Sequence, residues 1–311
     1  MTDENLTGPT EPTEPTEPTG GVSWRLAGDP FGHVRDKGQE GPAIQRAFEA
    51  FMATRDPGRV REIVVGWWGA GYEGHTSELP VRLLSEAADR LRNVRSIFLG
   101  DIEQEEAEIS WIEHGDVTPL LEAFPKLEYL HIRGGSGLRL RPVRHEALRT
   151  LWFESGGLPA GVVRAVGASE FPALQDLDMW LGVEEYGGDA TVADLEPILS
   201  GERLPALRHL GLQDSEIQDE IAEAVASAPV VARLEALSLA MGTLTDTGAE
   251  ALLSGQPLTH LKRLDLSHHY LSDAMMERVR AAFPGVAVDL SDRQEADEDD
   301  EDDWRYVAVS E

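Results

Sequence analysis

From residue 205 onward leucine recurs in a fixed rhythm. Leu207, Leu210 and Leu212 space as L-x-x-L-x-L and are followed by Ile217-x-Asp219. The unit returns as Leu234, Leu237 and Leu239 with Leu244-x-Asp246, then as Leu261, Leu264 and Leu266 with Leu271-x-Asp273, in two steps of 27 residues. The alternating half of each unit reads as a strand and the half opened by the aspartate as a helix. One such unit cannot bury its apolar face alone, so the units must stack. Weaker copies precede them at Val60/Ile63/Val65, Val94/Ile97/Leu99, Leu127/Leu130/Ile132, Leu148/Leu151/Phe153 and Leu174/Leu177/Met179. Helical spacing recurs between them over Val81–Leu91, Val117–Phe124, Val162–Ala168 and Val192–Leu199. Asp116, Asp219 and Asp246 stand at N-cap positions, and Pro125, Pro172 and Pro205 follow helix ends. The predicted fold class is an α/β solenoid, a horseshoe with a parallel sheet on its concave face and helices on its convex face.

The ends differ from the body. Residues 1–21 carry tandem Thr-Glu-Pro, a repeat without apolar residues, and are expected to be a disordered leader. Val22–Leu26 alternates as an edge strand, and a helix over Ala43–Ala53 is expected to cap the stack. Val286–Leu290 reads as the closing strand, giving a repeat domain over 22–291. Residues 292–311 form an acidic tail. Its run Asp297–Asp303 reads as solvated, whereas Trp304–Val309 has the alternation to pair with a sheet edge.

The repeat wording resembles leucine-rich repeat proteins with long, helix-backed units, similar to those of ribonuclease inhibitor. Gly100-Asp-Ile-Glu-Gln-Glu-Glu-Ala-Glu-Ile-Ser-Trp-Ile-Glu and Tyr186-Gly-Gly-Asp-Ala-Thr-Val-Ala-Asp-Leu resemble a bacterial cytoplasmic family of this kind, which implies the fold and no particular chemistry. The usual turn asparagine is replaced by Gly135, Gly156, Gly182, Ser215, Gly242 and His269, so positive φ at the glycines is expected to make the turns.

With the leucines facing the helices, the residues between them line the open face. Phe98, Tyr129, His131, Arg133, Trp152, Glu154, Asp178 and Trp180 form the candidate partner-binding surface, continued by His209, Gln213, Ser238, Arg263, Asp265, Ser267 and His268. Three insertions follow strand C-termini and should project from one rim: Trp67–His75, Asp101–Asp116 and Gly182–Asp189. Asp101, Glu103, Glu105, Glu106, Glu184 and Glu185 make that rim acidic. Its aromatics either staple the loops to the sheet end or meet a partner.

The formal charge is −30, of which residues 1–20 carry −5, residues 292–311 carry −8 and the body −17. Nucleic-acid binding needs clustered Lys and Arg and is disfavoured, while a basic partner suits the rim. The chain has no cysteine, no secretory leader and no run of ~18 apolar residues, so a cytoplasmic, membrane-free protein is expected. No phosphate loop, nucleophile elbow or calcium loop is present. Adjacent strand residues His268 and His269 face opposite ways, His269 filling the turn and His268 exposed, so no metal, cofactor or catalytic residue is assigned. The function expected is non-enzymatic binding of a protein or peptide. The alternative is an enzyme accessory subunit or weak enzyme with its site in loops 101–116 and 182–189.

Overall fold

A computed structural model describes residues 22–28, 42–54, 56–296 and 304–311. The Thr-Glu-Pro leader and the acidic run Asp297–Asp303 lie outside them. Among the described residues ten strands form one sheet whose spatial order is their order in the chain, and every neighbouring pair is parallel. They are β1 Val22–Leu26, β2 Val60–Val65, β3 Ser96–Leu99, β4 Tyr129–Arg133, β5 Thr150–Glu154, β6 Asp176–Gly182, β7 His209–Ser215, β8 Ala236–Ser238, β9 Arg263–Asp265 and β10 Ala287–Asp289. Parallel strands need a crossover between them. Eight helices among the described residues supply most of these: α1 Ala43–Thr54, α2 Glu78–Glu86, α3 Thr118–Ala123, α4 Ala160–Ala168, α5 Val192–Ser200, α6 Gln218–Val225, α7 Asp246–Ser254 and α8 Asp273–Ala282. Between β4 and β5 the chain returns without a helix, and buried Leu138 and Leu140 fill the helix's place.

The core is the seam between sheet and helices. The repeat leucines Leu207, Leu210, Leu212, Leu234, Leu237, Leu239, Leu261, Leu264 and Leu266 are all buried there, packed on helix residues such as Val163, Ile198, Ile221, Ala249 and Val279. At the N-terminal end Trp24 of β1 stacks on Phe51 of α1 with centroids 3.7 Å apart, so α1 covers the first strand.

Two local expectations are corrected. Asp219 and Asp246 do not cap their own helices. Asp219 Oδ1 accepts the N–H of Thr245 at 2.8 Å and of Gly248 at 3.1 Å, at the start of α7. Asp246 Oδ1 accepts the N–H of Ser272 at 2.8 Å, at the start of α8. Each aspartate therefore satisfies the orphan donors of the next repeat's helix and ties the repeats together. Asp116 acts locally as predicted, accepting the Thr118 N–H at 2.9 Å.

The turn residues are also displaced. Positive φ falls at Gly134 (103°), Asp214 (55°), Met241 (68°) and His268 (53°), one residue before the predicted turn positions Gly135, Ser215, Gly242 and His269; of the six positions only Gly182 (71°) carries it as expected. The reason is the backbone ladder between turns. Asp214 N–H bonds Ala240 O, Met241 N–H bonds Ser267 O and His268 N–H bonds Ser291 O, which requires the reversal at those residues.

Candidate functional site

Register gathers the side chains of the open face into rows. Phe98, His131, Trp152 and Asp178 are direct partners on β3, β4, β5 and β6, and the row continues through Gly211, Ser238 and Asp265. Arg133 lies opposite Glu154 and Trp180 opposite Gln213 in a second row. All eight residues predicted for partner binding thus share one side of the sheet, away from the helices.

Their contacts are specific. Phe98 stacks on His131 with centroids 4.0 Å apart and planes within 2°, and His131 stacks on Trp152 at 4.8 Å and 17°. Tyr129 meets His131 edge-on, and burial first, then the charges of Glu154 and Glu62, raises its phenol above the usual range. His131 Nε2 is 3.2 Å from Glu154 Oε1, within ion-pair reach but out of line for a hydrogen bond. Among the described residues Arg133 Nε, Trp152 Nε1 and Trp180 Nε1 also lack a hydrogen-bond partner. These nitrogens are closed off from solvent, and two of them still face a carboxylate: His131 Nε2 that of Glu154 and the Trp152 indole that of Asp178.

Asp178 sits at the centre of this face. Its two oxygens accept from Gln213 Nε2 at 2.8 and 2.7 Å, and Gln213 Oε1 accepts from Ser238 Oγ at 2.8 Å. Burial pushes the carboxyl up to about 7; the Gln213 bond opposes the rise and the Glu154 charge adds to it, while the Trp152 indole lends only weak support. Gly211 makes room for it, since a Cβ there would stand 2.2 Å from Asp178 Oδ2. Further along, His209 pairs with Asp176, which raises the imidazole above its ordinary value.

The rim divides its aromatics between the two expectations. Trp68 is buried and staples its loop, but Tyr72 is 92% exposed and Trp111 65%. Their loops adjoin, because the Ser77 N–H donates to Glu113 O at 3.1 Å and a Cβ on Gly71 would strike Glu113. Glu103, Glu105, Glu184 and Glu185 are exposed and Glu106 is half-buried. Asp101 is instead ion-paired to Arg25 of β1. Asp189 caps α4 through the Ala160 N–H at 2.7 Å, and Asp116 also holds Arg141. These acids of the insertions are thus engaged in structure, and among the described residues no three His, Asp or Glu side chains converge as a metal site would need.

The histidine pair reads differently from expectation. His269 is fully buried; Nδ1 accepts the Leu271 N–H at 3.1 Å, so Nε2 carries the proton towards Leu290 O at 3.3 Å. His268 is not exposed: its side chain is 13% accessible and is held between Asp292 and the carbonyl of Tyr306. Sequence reasoning left the terminal segment between a solvated tail and a sheet-edge strand. Tyr306–Glu311 do neither; they cross the turns at the C-terminal ends of the strands, and Val307 is buried. Nothing local in the sequence signals those partners.

No protein-family model matches the chain, and no curated protein does. Among solved structures it is similar to a Bacteroides fragilis protein known from its crystal structure, with 34% identity over 80% of this chain and 70% of that one and a TM-score of 0.74. Among the described residues no helix is long and apolar enough to cross a membrane.

Proposed function

We propose that this chain, which belongs to the same family as the Bacteroides fragilis protein, is a non-enzymatic scaffold that holds a protein or peptide on its concave face and acidic rim. The family is taken to be one of bacterial cytoplasmic leucine-rich repeat proteins. The observation that carries the reading is the Phe98–His131–Trp152 stack on the open face, where Phe98, Trp152 and Trp180 are only half-buried. A partner that covers those rings gains apolar burial that the free chain leaves unmade. Ten strands at a spacing of ~4.8 Å make an arc of roughly 45 Å, a length that suits a polypeptide better than a metabolite.

The rim supplies orientation. Exposed Tyr72 and Trp111 lie on the two loops that also carry exposed Glu73, Glu103 and Glu105, a combination that favours a segment bearing Lys or Arg. Affinity capture from native lysate tests the proposal by comparing the full chain with its W152A/W180A form. The partner is expected to be lost from the double variant with little change in thermal midpoint. Equal capture by both removes the concave face from the account, and a collapse in stability makes the tryptophans structural.

A further inference from the structure

The C-terminal residues are held by contacts that the concave face does not supply. The Tyr306 N–H donates to the Tyr270 hydroxyl at 2.8 Å, and its carbonyl accepts from that hydroxyl at 3.0 Å and from His268 Nε2 at 3.1 Å. The Ala308 N–H donates to Met241 O at 2.8 Å and the Val309 N–H to Asp214 Oδ1 at 2.9 Å. The Ser110 hydroxyl donates to Ser310 O at 2.5 Å, and the Tyr186 hydroxyl donates to the Glu311 carboxylate. Val307 is 8% exposed, whereas the Trp304 and Tyr306 side chains remain 54% and 62% exposed. Recognition thus falls on the backbone, one small branched anchor and the Glu311 side-chain carboxylate.

The receiving residues are repeats of one another. Asp214, Met241 and His268 are spaced by the 27-residue period, and each holds positive φ, a conformation that non-glycine residues seldom adopt and that clusters where ligands are clamped. Between its contacts at β9 and β7 the tail advances three residues, ~10 Å of extended chain, matching two strand spacings of ~4.8 Å. Gly156 clears the far end: a Cβ there would stand 2.2 Å from Ser310 O. Asp214 is fully buried, with Oδ2 lacking a partner among the described residues.

We infer that this row of turns is a binding site for an extended peptide, read through its backbone, one small aliphatic side chain and a terminal acidic side chain, and that residues 306–311 are its ligand supplied in cis. An incoming segment must bring a valine-sized residue to the place of Val307 and a backbone N–H to Asp214. A tethered ligand acts at a millimolar effective concentration, so a partner peptide reaches the turns only when the tail leaves. The site shares Ser110 and Tyr186 with the rim loops and His268 with the end of the open face but takes no residue of the Phe98–His131–Trp152 stack, so either reading can fail alone.

The test uses the full chain and a fluorescein-labelled peptide of Trp304–Glu311, followed by anisotropy. V307D removes the cis anchor and, separately, V309P removes the N–H that meets Asp214; both changes lie outside the packed repeats. Each variant is expected to bind the labelled peptide at least tenfold more tightly than the wild-type chain. Adding Y270F to V307D should reduce that gain, and adding W152A/W180A should not. If neither tail variant binds better than wild type, or if the gain is unaffected by Y270F, the turns are not a peptide site.

Discussion

Asp214 Oδ1 accepts the backbone N–H of Val309 at 2.9 Å, joining residues 95 positions apart. Burial pushes this carboxyl up to about 8, against the opposing bonds from Val309 and Ala308. A carboxyl raised in the folded state binds its proton more tightly there than in the unfolded chain. Its contribution to stability is fully present below the ordinary carboxylate range and is lost as pH rises from ~4 through about 8. Urea midpoints of the parent should therefore fall between pH 6 and 9, and less steeply in D214N. An unchanged slope in D214N contradicts the assignment.

His114 predicts an opposite trend for the body. Nε2 donates to Arg133 O at 2.9 Å, which leaves Nδ1 to accept from Ser77 Oγ at 3.1 Å, the neutral tautomer. Burial lowers its pKa to about 4, with the bond to Arg133 opposing. Its contribution to stability is present above ~6.5 and is lost as pH falls through about 4. Urea midpoints measured from pH 7 to 4 should decline less steeply in H114N than in the parent.

The aspartates that cap neighbouring repeats should couple those repeats. D219A and D246A are each expected to cost ~1–2 kcal/mol, read from denaturant unfolding, with amide exchange accelerated at the start of the following helix and not of the residue's own. Acceleration confined to α6 in D219A would return the cap to its local role.

Phe153 is fully packed at 1% exposure, whereas Trp111 is 65% exposed. F153A should lose ~3–5 kcal/mol, and W111A should stay within about 0.5 kcal/mol. A large loss in W111A would show that the rim loop is stapled by that ring and is not free to meet a partner.

The sequence displayed the solenoid because Leu207, Leu210 and Leu212 and their copies bury one side of each unit at a fixed period, and only stacking satisfies them. The open-face residues followed from the same alternation: once leucines point to the helices, Phe98, His131, Trp152 and Asp178 must fall in one row. What escaped were relationships set between repeats. The left-handed turns fell at Asp214, Met241 and His268 because ladder bonds to the next repeat outrank the glycine preference. Asp219 reads locally as a cap, yet its partners at Thr245 and Gly248 belong to another unit. The contacts of Val309 and Ser310 lie too far off in the chain for any periodicity to announce them.

The most direct measurement of the central claim is hydrogen exchange on the complex that the full chain captures from native lysate. Protection should appear at Tyr129–Arg133, Thr150–Glu154 and Asp176–Gly182, with loop 101–116 joining them, while the helices exchange as in the free chain. Protection confined to the helices, with those three strands unchanged, would contradict the proposal that this protein binds its partner on the open face of the sheet.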